Sequence, residues 1–371
     1  MKLNIALLPG DGIGPEVTKQ AVNVLNAIAK EYNHQFNYKN ALVGAAAIDA
    51  TGNPLPDETI QIVKNSDAVL FGAIGDPKYD NDPKAKVRPE QGLLKLRKEL
   101  GLFANIRPIA SFKTLLKYSN LKEEVIDGAD FVIYRELTGG IYFGEKKLSE
   151  DKQYASDLCA YSSEEIERVL HLAFKAAQQR NKKLTLVDKA NVLETSRLWR
   201  RVAQDLVKKY ADVQLDFLFV DNAAMQIILN PKQFDVMVTE NMFGDILSDE
   251  ASVIAGSIGL LASASIGTKS ALFEPIHGSY PQAKGKNIAN PLATILSAAM
   301  LLDHFNLHEE AETIRKAVDK SLEDEISTPD INKENPKTTL EVGEYIVNYI
   351  RGNIICKKSS ENISLGQSTI I

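Results

Sequence analysis

The feature that most restricts this chain is the alternation of short apolar runs with longer stretches of helical periodicity. Residues 4–8, 68–73, 131–134, 184–187, 217–220 and 236–238 read as buried strands. Residues 163–179, 197–209 and 245–255 read as helices among them. The first strand runs through Gly10-Asp11-Gly12-Ile13-Gly14 into a helix opened by Pro15, where Val17, Ala21, Val24, Leu25 and Ile28 share one face. Ser162 and Glu165 have the spacing of a capping box. The expected class is therefore α/β, since each parallel pairing needs a helical crossover. Residues 138–154 interrupt the pattern with two glycines and Ile141-Tyr142-Phe143-Gly144, and read as a hairpin or extended arm.

A chain of 371 residues exceeds one ordinary core and implies two or three domains. It is 44% hydrophobic and 25% charged, the balance of a globular protein. A net charge of -6 argues against nucleic acid as a partner, so an anionic ligand would need a local cluster of cations. Cys159 and Cys356 match no metal or redox spacing and fit a reducing cytoplasm. The uncharged stretch 251–268 is too rich in Gly and Ser to make a good membrane span, and no targeting segment is recognisable. A cytoplasmic protein without a membrane partner is expected. No Walker A, H-E-x-x-H or G-x-S-x-G sequence occurs, and Pro15 spoils the dinucleotide fingerprint begun by Gly10, Gly12 and Gly14.

Three patterns carry chemistry. Arg135, Lys189, Asp221 and Asn241 each follow a predicted strand, and ligands of open α/β sheets bind outside the carboxyl ends of strands. Polar turns at strand ends are the plainer reading of any one of them. Asp245 and Asp249 stand at i and i+4 among apolar neighbours, a like-charge pair costing about 0.2–0.5 kcal/mol unless neutralised. A hard divalent cation would neutralise them, as would a solvated position near a helix N-terminus. Glu90, Leu93, Leu94 and Arg97 share one helical face, which suits a ligand with a hydrocarbon arm and a carboxylate, or else a leucine core stripe. Arg97, Arg107 and Arg135 could clamp carboxylates bidentately. From the residues alone, the chain suggests a metal-assisted enzyme for a small polycarboxylate.

Taken together, the segments from Gly10 to Glu16, Arg135 to Gly144, Val187 to Val192, Asn241 to Asp249 with Gly256 and Gly259, and Glu274 to Ser279 resemble the metal-dependent β-decarboxylating dehydrogenases, the isocitrate/isopropylmalate dehydrogenase family. The resemblance extends to about Ile350. It implies two α/β domains of a type distinct from the Rossmann fold: residues 1–102 with 256–350, and residues 103–255 with an arm at about 139–155. Residues 351–371 form a polar tail. It further implies a homodimer with shared active sites. Arg97, Arg107 and Arg135 would hold substrate carboxylates. Asp245 and Asp249, with Asp221 of the second subunit, would hold Mg²⁺ or Mn²⁺, with Asp221 also near the substrate. Lys189 and Tyr142 would be base and acid. NAD would lie on Ile13, Asn191, Glu274, His277, Gly278, Ser279, Gln282 and Asn290.

Within that family Glu90, Leu93 and Leu94 bear on substrate choice. Isocitrate enzymes place small polar residues in this helix for a third carboxylate, whereas leucines would contact an isopropyl group, which favours 3-isopropylmalate. Malate, tartrate and homoisocitrate are the alternatives, and a non-catalytic regulatory subunit would be expected to lack a base, acid or metal ligand that this chain retains. Relatives using NAD usually carry Pro-Asp after His-Gly-Ser-x, while this chain has Pro281-Gln282. Gln282 can still bond a ribose hydroxyl but lacks the charge that repels a 2′-phosphate. NAD remains the expected cofactor, because residues 327–331 contain no basic side chain to read that phosphate.

Overall fold

The computed structural model describes residues 1–80 and 87–352. Its strands are β1 (Lys2–Gly10), β2 (Gln35–Asn40), β3 (Ala68–Ala73), β4 (Leu102–Ala110), β5 (Asp130–Glu136), β6 (Lys146–Leu148), β7 (Ala155–Asp157), β8 (Lys183–Asp188), β9 (Gln214–Phe219), β10 (Val236–Thr239), β11 (Ala262–Gly267) and β12 (Ala271–Pro275). The longer helices are α1 (Gly14–Glu31), α2 (Gly44–Thr51), α3 (Asp57–Lys64), α4 (Pro89–Glu99), α5 (Ser163–Gln179), α6 (Glu194–Leu206), α7 (Val220–Leu229), α8 (Asn241–Ala251), α9 (Leu292–His304), α10 (His308–Glu323) and a last helix at 339–352. That last helix continues two residues into the expected tail; residues 353–371, including Cys356, lie outside the described residues.

The chain divides into two compact units, Met1–Leu93 with Phe273–Ile371, and Leu94–Leu272. The second unit keeps residues 262–267 because β11 pairs antiparallel with β4, Ala264 opposite Ile106.

In the first unit the strand order is β2–β1–β3–β12, with β1 parallel to both β2 and β3. Ile5, Ala6, Leu7 and Leu8 are all buried, so β1 does not alternate. This is the signature of a strand covered on both faces. Helix α1 buries Val17, Ala21, Val24, Leu25 and Ile28 and packs on the almost wholly buried α9. Each of the Val, Leu and Ile side chains contributes about 1.5–3 kcal/mol on leaving water.

In the second unit the order is β11–β4–β5–β10–β8–β9, antiparallel up to β5 and parallel from there onward. Helix α5 opens on the expected capping box of Ser162 and Glu165. Its Ile166, Val169, Leu170 and Phe174 join Trp199, Leu184 and Val236 in one core. Thr239 of β10 stands opposite Arg135 on β5 and Val187 on β8. That register brings Arg135, Glu240–Asn241 and Asp188–Lys189 to one rim.

Local boundaries differ from the sequence expectations in instructive ways. Val220 opens α7 instead of closing β9, which puts Asp221 in a first helical turn. Helix α8 begins at Asn241 because the Glu240 carboxylate caps it, accepting from the Phe243 N–H. Asp245 and Asp249 therefore lie inside that helix, not at its start. Helix α6 begins at Glu194 and yields to a 3₁₀ turn after Leu206. The arm is an antiparallel hairpin of β6 and β7, preceded by a 3₁₀ turn at Gly140–Tyr142. Among the described residues, no helix is long and apolar enough to cross a membrane.

Candidate active site

The rim of the second unit is a network of charges. Arg135, buried at the end of β5, donates from Nε and Nη2 to Asn241 Oδ1 (3.1 and 2.8 Å) and from Nη1 to Asp245. Arg107 on β4 donates from Nε to Asn105 Oδ1 (2.7 Å), and from Nη1 to Ser248 Oγ and Asp249 Oδ1 (3.0 Å). Its Nη2 lies 3.6 Å from Asp245. Burial, followed by the nearby Arg107 charge, pulls the Arg135 pKa down to about 10, with Arg97 adding to the effect. Arg135 stays cationic at neutral pH. Arginine is suited to such a site because its charge survives burial and its donors are fixed in a fork.

At their i and i+4 spacing, Asp245 and Asp249 need a counter-charge. The structure supplies one from within the protein, since both carboxylates are ion-paired to Arg107 and Asp245 also to Arg135. Repulsion between the two acids is therefore no argument for a metal by itself. Their accessibility and chemistry still fit one. The Asp245 side chain is 35% exposed and that of Asp249 66%, so both present oxygen to solvent from adjacent turns of α8. An all-oxygen pair suits a hard ion such as Mg²⁺ or Mn²⁺. Among the described residues of one chain, no three His, Cys, Asp or Glu side chains assemble, so Asp221 does not join this pair.

Tyr142 donates to Asp245 Oδ2 at 3.0 Å, and its ring lies 5.7 Å from the Arg135 guanidinium. Burial and the Asp245 carboxylate both raise its pKa, keeping the phenol protonated at neutral pH. It is held by a turn in which Gly140 has φ +73°, and a Cβ there would meet the Tyr161 hydroxyl at 2.3 Å. Lys189 and Asp221 form a separate pair, Nζ to Oδ1 at 2.6 Å, and this bond depresses the Asp221 pKa. The Lys189 N–H donates to Ser196 Oγ at 3.0 Å. Next to it, the buried Asp188 carboxylate takes the Ala190 N–H and two donors of Arg200. Asn191 is exposed just beyond.

Helix α4 settles which leucine fills the core. Leu96 is 0% exposed, whereas Leu94 is 43% exposed and Leu93 is half-buried. The pair Leu93–Leu94 is thus not the core stripe of this helix. Arg97 is half-buried on the same face, and Glu90, exposed, stays in the first unit close to Gly75.

The first unit builds its candidate surface mainly from backbone. Gly12 has φ +55°, and a Cβ there would stand 1.9 Å from the Ser279 carbonyl oxygen. The Ile13 N–H donates to that same oxygen at 2.8 Å. Asp11, buried beneath the loop, accepts from Ala45, Ala46 and Gly75 N–H groups. The Ile13 side chain is 4% exposed and belongs to a small core with Val17, Ala283 and Ala289. Glu274, Ser279 and Asn290 are buried, while Gly278 and Gln282 are exposed. Asn290 donates to Asp330, which also takes the Thr328 hydroxyl. His277 bonds the Gly278 carbonyl through Nδ1, but its Nε2 is buried with no partner. A buried orphan nitrogen beside glycine turns fits a ligand with its own hydrogen-bonding groups, as a nucleotide has.

Sequence reasoning passed over Glu136 and Tyr161. The Glu136 carboxylate is fully buried and accepts from Thr138 N–H, Gly139 N–H and the Thr138 hydroxyl. The Tyr161 hydroxyl accepts from the Asn241 N–H. A glutamate followed two and three residues later by Thr and Gly is a turn signal that could have exposed the first; nothing local marks the second.

The family profile described as isocitrate/isopropylmalate dehydrogenase matches residues 4–346. A 3-isopropylmalate dehydrogenase of Bacteroides fragilis (strain YCH46) is 58% identical over 353 residues, covering 95% of this chain and 99% of the relative. One from Bacillus subtilis (strain 168) is 51% identical over 369 residues, covering 98% and 100%. A crystal structure of isocitrate dehydrogenase from Methylococcus capsulatus superposes with a TM-score of 0.84 at 36% identity, covering 94% of this chain and 99% of that one.

Proposed function

Because the chain belongs to the isocitrate/isopropylmalate dehydrogenase family, we propose that it oxidises and decarboxylates (2R,3S)-3-isopropylmalate to 4-methyl-2-oxopentanoate and CO₂ with reduction of NAD, the third step of leucine biosynthesis. The observation that carries this reading is on α4: Leu93 and Leu94 are left outside the core while Leu96 fills it, and Arg97 follows on the same face. An apolar step beside a guanidinium matches an isopropyl group beside a carboxylate. A third carboxylate placed there would be poorly paired.

In this mechanism Arg97, Arg107 and Arg135 bind the substrate carboxylates, and a bidentate fork fixes the orientation of the reacting carbons. Asp245 and Asp249 would hold Mg²⁺ or Mn²⁺ together with Asp221 of a second copy of the chain, and Asn191, Glu274, His277, Gly278, Ser279, Gln282 and Asn290 would hold NAD. When bound, the cation supplies Lewis-acid polarisation and the nicotinamide accepts a hydride. Lys189 of the second copy takes the proton of the substrate hydroxyl. Tyr142, kept protonated by burial and Asp245, gives a proton to C3 after CO₂ has left.

Exposed apolar side chains support the proposed homodimer. Met225 and Leu229 on α7, with Ile246 on the adjacent α8 and Val253 just after it, are large hydrophobics left open to solvent. Leu148, Tyr154 and Leu158 do the same on the arm. Such clustering marks an interface. A second copy would cover these faces and deliver Lys189 and Asp221. Nothing in the charge pattern favours nucleic acid, and a cytoplasmic setting suits the chemistry.

Initial rates of nicotinamide reduction with Mg²⁺ test the reading, using 3-isopropylmalate, isocitrate, malate, tartrate and homoisocitrate, each with NAD⁺ and NADP⁺. Turnover concentrated on 3-isopropylmalate with NAD⁺ is expected. A preference for another acid would overturn the substrate assignment, and a preference for NADP⁺ would overturn the reading of Gln282.

A further inference from the structure

We propose that Asn241 is a positioning residue that ties the acid Tyr142 to the carboxylate clamp Arg135; the inference rests on the roles proposed for those two residues. Asn241 is 1% exposed, and its side chain works in two directions. Its Oδ1 accepts from both Nε and Nη2 of Arg135. Its Nδ2 donates to the Gly139 carbonyl at 3.2 Å. Gly139 opens the turn that carries Tyr142, and the rest of that turn is held as tightly. The Gly139 N–H bonds Glu136, the Gly140 N–H bonds the Ala160 carbonyl, and the Tyr161 ring fills the space over both glycines. Tyr161 also accepts the Asn241 N–H, so Asn241 is fixed at backbone and side chain alike. One buried amide thus sets the guanidinium that receives a carboxylate and the turn that aims a proton donor at the same ligand. An amide suits this, because its acceptor oxygen and its donor nitrogen are separate atoms that face different partners.

Asn241→Asp separates the two halves. It keeps an acceptor for Arg135 but replaces the donor facing the Gly139 carbonyl with a second acceptor, which pushes the turn away. The protonation half-reaction can be read without hydride transfer, as exchange of the C3 hydrogens of 4-methyl-2-oxopentanoate in D₂O with Mg²⁺ and NADH, followed by NMR. There the C3–H bond breaks as its proton passes to the deprotonated Tyr142 oxygen and its electron pair enters the enolate; after that oxygen exchanges with D₂O, it returns a deuteron and the C3–D bond forms. Asn241→Asp is expected to slow this exchange about tenfold or more while calorimetric binding of 3-isopropylmalate changes by only a few-fold. Asn241→Ala should weaken both. Exchange at the wild-type rate in Asn241→Asp would overturn the proposal. So would loss of cooperative melting in that variant, since Asn241 would then be a stability element only. Tyr142→Phe serves as the control. If it exchanges normally, the acid assignment itself fails, whereas loss of exchange in Tyr142→Phe with normal exchange in Asn241→Asp leaves that assignment standing and removes only this one.

Discussion

The two units use the same construction, parallel strands feeding residues to their carboxyl ends, yet they furnish those ends differently. In the first unit the surface is made of backbone: glycines in tight approach, carbonyls and N–H groups, and one unpartnered histidine nitrogen. In the second it is made of charged side chains locked to one another, Arg135 to Asp245, Arg107 to Asp249 and Lys189 to Asp221. A surface made of backbone depends on main-chain shape and tolerates a change such as Gln282 at an exposed position. A surface made of paired charges cannot lose one member without stranding the other. The contrast suits the roles proposed above, a large ligand with many weak contacts on the first surface and a small polyanion on the second.

The largest expected effect tests the charged side. Arg135→Ala takes from Asp245 its closer cation and from Asn241 Oδ1 both of its donors, and truncating one partner of a hydrogen-bonded charged pair costs about 2–5 kcal/mol. We expect kcat/KM for 3-isopropylmalate to fall by about 10²–10³ or more, and a loss under tenfold would break the comparison. Next is Tyr142→Phe. Removal of a general acid costs about 10²–10⁴, and single-turnover kinetics should place that loss in decarboxylation and proton delivery, with hydride transfer much less affected. Equal losses in both steps would reject the assignment.

Smaller effects separate the two surfaces further. Leu94→Ser should lower kcat/KM for 3-isopropylmalate relative to malate by roughly 10–200-fold, the discrimination that a lost apolar contact supplies. Unchanged ratios in paired assays would show that Leu94 does not meet the substrate. On the backbone-built side, Gln282→Asp should raise the NAD⁺ over NADP⁺ preference by about tenfold, close to 1.4 kcal/mol, without altering the substrate ratio. Measured with both cofactors, no change would remove Gln282 from the ribose contact.

The smallest effect concerns acid. His277 and His304, both in the first unit, have pKa values lowered by burial from 6.5. As pH drops below 6.5 the unfolded chain takes up protons that the folded unit refuses, so stability falls until the folded-state values are reached. Carboxyls raised by burial act oppositely in both units, Asp11 and Asp319 in the first and Glu136 and Glu240 in the second, since folding binds protons there and mild acid favours it; the two histidines are what set the first unit apart. Amide hydrogen exchange at pH 7.5 and 5.5 should show protection falling more in the first unit. Equal losses in the two units would contradict this.

Much of this molecule was legible in advance because the signals were local. Periodicity marks α1 and α5, the Ser162–Glu165 spacing marks a cap, and charged residues after apolar runs mark the rim. Other features depend on partners distant in the chain. The charge opposite Asp245 comes from Arg107 and Arg135, more than a hundred residues away, which the i and i+4 arithmetic could not include. The start of α8 depends on a glutamate cap instead of on the apolar pattern.

By itself the sequence determined the α/β class, the residue types available for chemistry and the family to which they belong, because strand and helix periods and short motifs are carried by neighbouring residues. Tertiary structure alone decided that Leu96 and not Leu93 or Leu94 enters the core, that Ile13 is buried, and that Asn241 joins Arg135 to Gly139. Burial and long-range hydrogen bonding are properties of what surrounds a side chain, and strand register and helix packing set those surroundings.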